Sequence, residues 1–177
     1  MLGRSIRAAT FLLLFSVLFV VGDAADAKSV NITVIGASNA NGKGVSSSEA
    51  WPAVLESMLR SKGYDAHVTV NATNGLTSGQ IVSLTGSIPS GTQVVIFDTG
   101  ISNDHRHNFS PAQTAANEAA IVRGIRAHGA VAIKAPYGNP GMHGGYPKQG
   151  DGEHFTPAGH RMIAAKLVPR VIAAARH

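Results

Sequence analysis

Hydrophobic residues follow two alternating patterns along this chain. Four short runs rich in valine, isoleucine and threonine, each bounded by glycine, asparagine or proline, predict β-strands at residues 30–35, 67–71, 93–98 and 130–135. Apolar residues at helical spacing predict helices at residues 48–62, 110–128 and 156–175, with a shorter one at 78–84. Ser110-Pro111 and Thr156-Pro157 each pair a good N-cap residue with a favoured first helical residue.

The alternation of strands and helices predicts the α/β fold class, with three α/β/α layers around a short parallel sheet of about four strands. In such sheets, ligands bind beyond the carboxyl ends of the strands, so polar residues at these ends are candidates for a functional site. We also expect residues 130–135 to form an exposed edge of the sheet. The glycine- and proline-rich stretch 136–150 is typical of a loop, and we expect it to be mobile and near the site.

The N-terminal segment differs in composition from the rest of the chain. Arg4 and Arg7 precede an apolar run of eleven residues, 11–21, and Ala25-Asp26-Ala27 fits a cleavage site, with cleavage after Ala24 or Ala25 as an alternative. This order predicts a secretory signal peptide at residues 1–27 and a mature domain at residues 28–177. A membrane anchor is the other interpretation, but a span needs about 20 apolar residues. We therefore expect a secreted or periplasmic protein with no stable membrane span after cleavage.

Composition and charge narrow the possible partners. The 177 residues are 44% hydrophobic and 14% charged, which is typical of a globular chain. The absence of cysteine excludes disulfides and thiol chemistry. The net charge is +5, but the basic residues are scattered, without a Lys/Arg run or interleaved aromatic residues. We therefore expect no nucleic-acid partner, and at most a mild attraction to anionic surfaces of the cell envelope.

Five residues near the predicted strand ends and before the last helix could act together. Ser38 follows the first strand, Gly79 the second and Asn103 the third, while Asp151 and His154 precede the last helix. Serine is a weak nucleophile until a base takes its proton, and histidine is the usual base. A carboxylate on the other ring nitrogen fixes the tautomer. The Ser38 and Gly79 backbone amides and the Asn103 side-chain amide are candidate donors to an oxyanion.

The order of these blocks resembles that of the SGNH hydrolases, also called GDSL-type esterases and lipases. The block GASNANGKGVSSSEAWPAVL is similar to their lysophospholipase/thioesterase-like branch, and DGEHFTPAGHRMIAAKL to their D-x-x-H block and terminal helix. The resemblance implies an SGNH-hydrolase-like, flavodoxin-like fold that needs no metal or organic cofactor. It also implies Ser38 as the nucleophile, His154 as the base and Asp151 as its orienting carboxylate. Ser38, Gly79 and Asn103 would form the oxyanion hole.

The chain departs from the family pattern at three places. Ala37 stands where the family has an aspartate beside the serine, so hydrogen bonds around that turn would be lost. The G-x-N-D block is one residue longer here, which would place Asn103 on a bulge. Only about fifteen residues separate the fourth strand from Asp151, where the family often fits another helix and strand.

Alternatives remain open for two members of the site. Gly75 competes with Gly79, and Asp104 or Ser102 competes with Asn103. The histidines His105, His107 and His143 suggest a metal site, but no carboxylate or cysteine set with ligand spacing accompanies them.

Together these features predict an exported serine hydrolase that forms an acyl-enzyme on Ser38. The expected substrate is a small-molecule or acylated-glycan ester, with short-chain acyl or O-acetyl groups favoured and thioesters or lysophospholipids also open. An acyltransferase would use the same residues. A non-catalytic exported binding protein on the same scaffold is the alternative that Ala37 and the longer Asn103 block favour.

Overall fold

The computed structural model describes residues 27–137 and 145–176, which include a four-stranded parallel sheet. The strands are β1 (Lys28–Gly36), β2 (Tyr64–Ala72), β3 (Val94–Phe97) and β4 (Val131–Lys134). Their spatial order is β2-β1-β3-β4, with each neighbouring pair parallel. The predicted fold class and all four strands are confirmed. β1 and β2 are longer than predicted because they pair along their whole length, from Lys28 opposite Tyr64 to Gly36 opposite Ala72.

The four predicted helices are present, together with two short ones. The helices are α1 (Ser38–Asn41), α2 (Trp51–Arg60), α3 (Ser78–Leu84), α4 (Ile101–Arg106), α5 (Pro111–Ala127) and α6 (Pro157–Ala174). Hydrophobic periodicity did not indicate α1 or α4, because each is a short, largely polar segment. Gly100, in the left-handed conformation at φ 63°, immediately precedes α4. The extra residue of the Asn103 block is therefore accommodated at the start of a helix and not in a strand bulge.

Helices cover the sheet on both faces and bury two apolar clusters. On one face, residues of α2 and α6 pack against β1 and β3, and this cluster includes Val34, Trp51, Leu55, Ile163 and Leu167. On the other face, α3 and α5 pack against β1 and β3 through residues such as Ile35, Phe97, Ile81, Ile121 and Ile125. β1 and β3 contribute to both clusters because successive side chains of a strand point to opposite faces. The three predicted layers follow from this double burial.

The prediction that residues 130–135 form an edge of the sheet is confirmed by the position of β4. Val131 is 40% exposed there. β4 has only four residues and ends at Lys134, whose Nζ donates to Glu118 Oε2 on α5 at 2.6 Å. A short edge strand that carries a lysine offers little template for pairing with another chain.

Two predictions concern residues outside the described ranges. The signal peptide falls almost entirely on residues 1–26, and the middle of the predicted mobile loop on residues 138–144. None of the helices within the described ranges combines the length and the apolar composition needed to cross a membrane.

A buried histidine connects α6 to the start of α2. The His160 side chain is fully buried, and its Nδ1 accepts a hydrogen bond from the Trp51 backbone N–H at 3.1 Å. That N–H lies in the first turn of α2, where no carbonyl within the helix is available to it. Burial lowers the pKa of His160 to about 4. The folded protein therefore requires the neutral imidazole.

We expect stability to fall as the pH drops from about 6.5 towards 4. In the unfolded chain His160 takes up its proton near its ordinary pKa of 6.5, whereas the folded state resists protonation down to about 4. The unfolded state thus binds more protons in this window, and acid favours it. His160→Asn, which keeps an acceptor for Trp51, should flatten the dependence of the thermal midpoint on pH. The control is His128→Asn, which changes an exposed histidine. If the thermal midpoint depends on pH with the same slope in the wild type and in both variants, His160 is not the group responsible.

Candidate active site

Ser38 lies two residues beyond the end of β1, at the start of the single turn α1. Gly36 allows the chain to pass close to β3: a Cβ there would lie 2.7 Å from the Asp98 Cβ and 2.9 Å from the Ala40 Cβ. The turn ends at Gly42 in the left-handed conformation, whose N–H donates to the Ser38 carbonyl. The Ser38 side chain is thereby held at the carboxyl edge of the sheet, where it is 7% exposed.

The structure brings Ser38, His154 and Asp151 into one hydrogen-bonded chain. The Ser38 Oγ lies 2.9 Å from His154 Nε2, although the two residues are 116 positions apart in the sequence. His154 Nδ1 lies 2.6 Å from Asp151 Oδ2. His154 is 4% exposed, so its contact with Ser38 is shielded from water, whereas the Asp151 side chain is 46% exposed.

The loop before α6 holds the Asp151 carboxylate in place. The other carboxylate oxygen, Oδ1, accepts hydrogen bonds from the backbone N–H groups of Glu153 at 2.9 Å and His154 at 3.0 Å. The hydrogen bond with the His154 side chain, reinforced by these two, holds the pKa of Asp151 well below its usual range. An ionised carboxylate at Nδ1 retains the proton there, so Nε2 is left as the acceptor that faces Ser38.

Asn103 borders the same space as Ser38. It lies in α4 and is 5% exposed. Its Nδ2 donates to the Leu76 carbonyl at 2.8 Å, and its Oδ1 accepts from Arg106 Nη2 at 2.6 Å. These two bonds fix which way the amide points, and Nδ2 keeps one further N–H for a ligand.

Gly79 does not lie where the sequence interpretation placed it. It is the second residue of α3, and a Cβ on it would face Asn117 Nδ2 at 3.6 Å and Phe109 Cε2 at 3.8 Å. It borders neither of the two cavities that open at Ser38. Gly75, the alternative, lies with Ser38, Asn103 and His154 around one of them, at φ 86°.

The sequence holds a signal that separates the two glycines. Thr77 and Gln80 form a capping box, in which each side chain bonds the backbone of the other, so α3 begins directly after Thr77. Gly79, the second residue of α3, lies after this cap and borders neither cavity. Gly75 precedes the cap and belongs to the turn at the strand end, where a donor to the site is expected.

Asp104, one of the alternatives to Asn103, points away from Ser38 and ties three helices together. Its Oδ1 accepts from the Ser78 backbone N–H and its Oδ2 from Thr114 Oγ1, each at 2.7 Å. The side chain is fully buried. Ser102, the other alternative, is exposed at the cavity rim.

Sequence reasoning missed an ion pair at the rim of the site. Arg106 donates through Nη1 and Nη2 to the two carboxylate oxygens of Glu153, at 3.0 and 2.9 Å. This hydrogen-bonded pairing lowers the pKa of Glu153 and raises that of Arg106. Because Arg106 also bonds Asn103, the pair links α4 to the loop that carries His154. Arg106 belongs to no motif and Glu153 occupies an unspecified position of the D-x-x-H block, so only the folded contacts reveal the link.

Two cavities of about 260 and 360 Å³ meet at Ser38. Both have Ser38, Asn103, Arg106 and Glu153 among their walls. His154 borders only the larger one, together with Lys43, Asn74, Gly75 and His107. Within the described ranges, no three histidine, aspartate or glutamate side chains are grouped so that they could hold a metal ion. His143, one of the three histidines considered for such a site, lies outside those ranges.

No protein-family model and no curated protein sequence matches the chain. Solved structures do match its fold. TesA superposes with a TM-score of 0.71 at 21% identity, over 81% of this chain and 99% of that one. The psychrotrophic esterase EstA from Pseudoalteromonas sp. superposes with a TM-score of 0.67 at 16% identity, over 83% and 99%.

AlinE4, an SGNH-hydrolase family esterase, superposes with a TM-score of 0.58 at 20% identity, over 86% of this chain and 75% of that one. The chain therefore has the fold of the SGNH hydrolases. The resemblance that its first and last sequence blocks indicated is confirmed at the level of the fold.

The hydrogen bonds that Asp104 accepts from α3 and α5 should contribute to the stability of the protein and not only to its activity. We expect Asp104→Ala to lower the free energy of unfolding by roughly 2–4 kcal/mol, because two buried hydrogen bonds are lost and the Ser78 N–H is left without its acceptor. Ser102→Ala, at an exposed position two residues earlier, should change it by less than about 0.5 kcal/mol. Urea denaturation followed by circular dichroism measures both. Similar small losses in the two variants would contradict the structural role of Asp104.

Proposed function

We propose that this protein is an exported serine hydrolase that cleaves carboxylic esters. The observation that carries the proposal is the unbroken chain from Ser38 Oγ to His154 Nε2 and from His154 Nδ1 to Asp151, with contacts of 2.9 and 2.6 Å. Nucleophile, base and orienting carboxylate stand in the order that acyl transfer at a serine requires. The match in fold to EstA and AlinE4, both described as esterases, supports the same reaction class.

The proposed reaction has two halves. Ser38 Oγ attacks the ester carbonyl while His154 Nε2 accepts its proton, and Asp151 stabilises the imidazolium that results. His154 then gives the proton to the departing alcohol oxygen, which leaves Ser38 acylated. In the second half a water molecule, deprotonated by His154, attacks the acyl-enzyme and releases the acid and the free serine.

The tetrahedral intermediate needs donors aimed at its oxyanion. The Ser38 and Gly75 backbone N–H groups and the free N–H of Asn103 Nδ2 are the three candidates that border the cavity of His154. Gly75 here replaces Gly79 of the sequence interpretation. Arg106 strengthens the Asn103 donor, because a cation that bonds the amide oxygen draws electrons away from the amide N–H.

The signal-like sequence at residues 1–27 supports a place of action outside the cytoplasm. A small-molecule or acylated-glycan ester with a short acyl group suits the limited volume at Ser38. We propose short-chain or O-acetyl esters as the substrate class.

Hydrolysis of p-nitrophenyl acetate by residues 28–177 tests the reaction. We expect turnover by the wild type that falls by about 10³-fold or more in Ser38→Ala and in His154→Gln, because members of such a triad act as a unit. Ser90→Ala, which changes an exposed loop serine, should retain the wild-type rate. The rate should be the same with and without a metal chelator.

Two other results would reject the proposal. Equal, negligible rates in the wild type and Ser38→Ala would favour a binding protein or an acyltransferase that awaits its acceptor. Activity that survives in Ser38→Ala but is lost with the chelator would assign the chemistry to a metal.

A glycine pair tests which backbone amide serves the oxyanion. Gly75→Ala places a side chain at φ 86°, which costs about 1–2 kcal/mol and shifts the turn, so we expect kcat to fall about 10- to 100-fold. Gly79→Ala meets only ordinary contacts at 3.6 and 3.8 Å and should keep both activity and stability. Steady-state kinetics and thermal unfolding of the two variants decide between them. The reverse pattern would restore Gly79 to the site.

A further inference from the structure

The reaction divides the space around Ser38 into a side for the alcohol and a side for the acyl group. This inference rests on the proposed function. The leaving alcohol must receive its proton from His154 Nε2, so it lies next to that nitrogen. His154 borders the larger cavity but not the cavity of about 260 Å³ on the other side of Ser38. The acyl group therefore enters the smaller one.

The smaller cavity has aromatic walls. Tyr137, Tyr146 and Phe155 line it, and their rings meet edge to face with centroid distances of 5.2 and 5.8 Å. Its volume lies below the range of roughly 300–1,000 Å³ that holds a drug-sized ligand. The cavity has room for an acyl group of a few carbons beside these rings.

The Asp98 carboxylate lies in the wall of this cavity, beside the nucleophile turn. Asp98 is 7% exposed, and its Oδ1 accepts from the Gly100 N–H at 2.9 Å. No lysine, arginine or histidine in the described part of the chain forms an ion pair with it. Burial raises the pKa of Asp98, an effect that the N–H groups of Gly100 and Ala37 partly offset. A buried carboxylate with spare acceptor capacity is costly unless a donor reaches it.

Other polar atoms around this cavity also lack partners. Asn39 Oδ1 and Tyr146 Oη are buried and form no hydrogen bond within the described residues, and both residues border the cavity. Buried polar atoms in native proteins nearly always have hydrogen-bond partners. Two such atoms without partners beside one cavity therefore indicate that a bound ligand supplies the partners. An oxygen of Asp98, Asn39 Oδ1 and the Tyr146 hydroxyl can all accept a hydrogen bond. The two cations that border the cavity already donate elsewhere, Arg106 to Glu153 and Asn103 and Lys148 to the Gly152 carbonyl. Within the described residues, no charged donor bonds these acceptors.

We propose that Asp98 makes this cavity select short acyl groups that carry a hydrogen-bond donor, a hydroxyl or an ammonium group, over plain alkanoyl groups of the same size. The donor would bond the Asp98 carboxylate while the acyl carbonyl carbon lies at Ser38 Oγ. Tyr146 assists as a second polar contact. A plain alkanoyl group would bury the same surface but leave these acceptors unpaired, which penalises it.

Three p-nitrophenyl esters with one leaving group test the selection. The 3-methylbutanoate, 3-hydroxybutanoate and 3-aminobutanoate esters place a methyl, a hydroxyl or an ammonium group at the same carbon. Each kcat/KM is divided by the rate of hydrolysis of that ester in buffer, which removes differences in intrinsic reactivity. We expect the wild type to favour at least one donor ester over the methyl ester by tenfold or more. The hydroxyl and ammonium arms show which donor the cavity takes.

Asp98→Asn keeps the shape and an acceptor for the Gly100 N–H but removes the carboxylate. The donor-to-methyl ratio within one protein cancels any overall loss of rate that a disturbed turn causes. We expect this ratio to fall at least fivefold in Asp98→Asn and about two- to fivefold in Tyr146→Phe, which removes only the unpaired hydroxyl. Asp65→Asn, an exposed carboxylate at the start of β2, should keep the wild-type ratio. Should Asp98→Asn fail to fold, Tyr146→Phe still carries the test.

Three results overturn this inference, and only one of them also affects the proposed function. A ratio near one in the wild type would show that the cavity does not select donors. A high ratio that persists in Asp98→Asn would show that Asp98 only ties the turns after β1 and β3. In both cases Ser38-dependent hydrolysis of the methyl ester would leave the proposed function intact. Failure of all three esters and of p-nitrophenyl acetate would reject the proposed function and this inference together.

Discussion

The parallel pairing of β1 with β3 is the constraint on which the site depends. It ends with Ile35 opposite Phe97, so the segments that follow the two strands emerge side by side at one edge of the sheet. The missing side chain of Gly36 lets these segments approach until a Cβ would clash with Asp98. Ser38, Asp98 and Asn103 therefore share one small space. Their positions follow from the register of two strands and not from any flexible loop.

Asp151 and His154 are positioned by the packing of α6 against α2. α6 packs against α2 in the main apolar cluster, and His160 bonds the first turn of α2. The loop of Asp151 and His154 precedes α6 directly, and Gln149 anchors it by donating to the carbonyls of Lys43 and Phe155. The core that stabilises the fold thus also sets the distance between His154 and Ser38.

Much of this arrangement could be predicted from sequence, and the rest could not for physical reasons. Strand composition predicted the sheet, and the first and last blocks singled out Ser38, Asp151 and His154, which the fold brings together. Gly79 was misplaced because a glycine looks the same in a turn and in a helix until the capping box beside it is considered. Asp98 was overlooked because it ends a hydrophobic run and resembles a strand boundary. The bond between Arg106 and Asn103 depends on side-chain geometry that no local pattern encodes.

The separation of 116 positions in the sequence between Ser38 and His154 has a consequence for the timing of activity. During synthesis Ser38 emerges well before His154, and α6 must dock on α2 before the two side chains meet. A chain in which α6 has not yet docked on α2 has no base beside its serine. The hydrolysis that we propose can therefore begin only where the chain completes its fold.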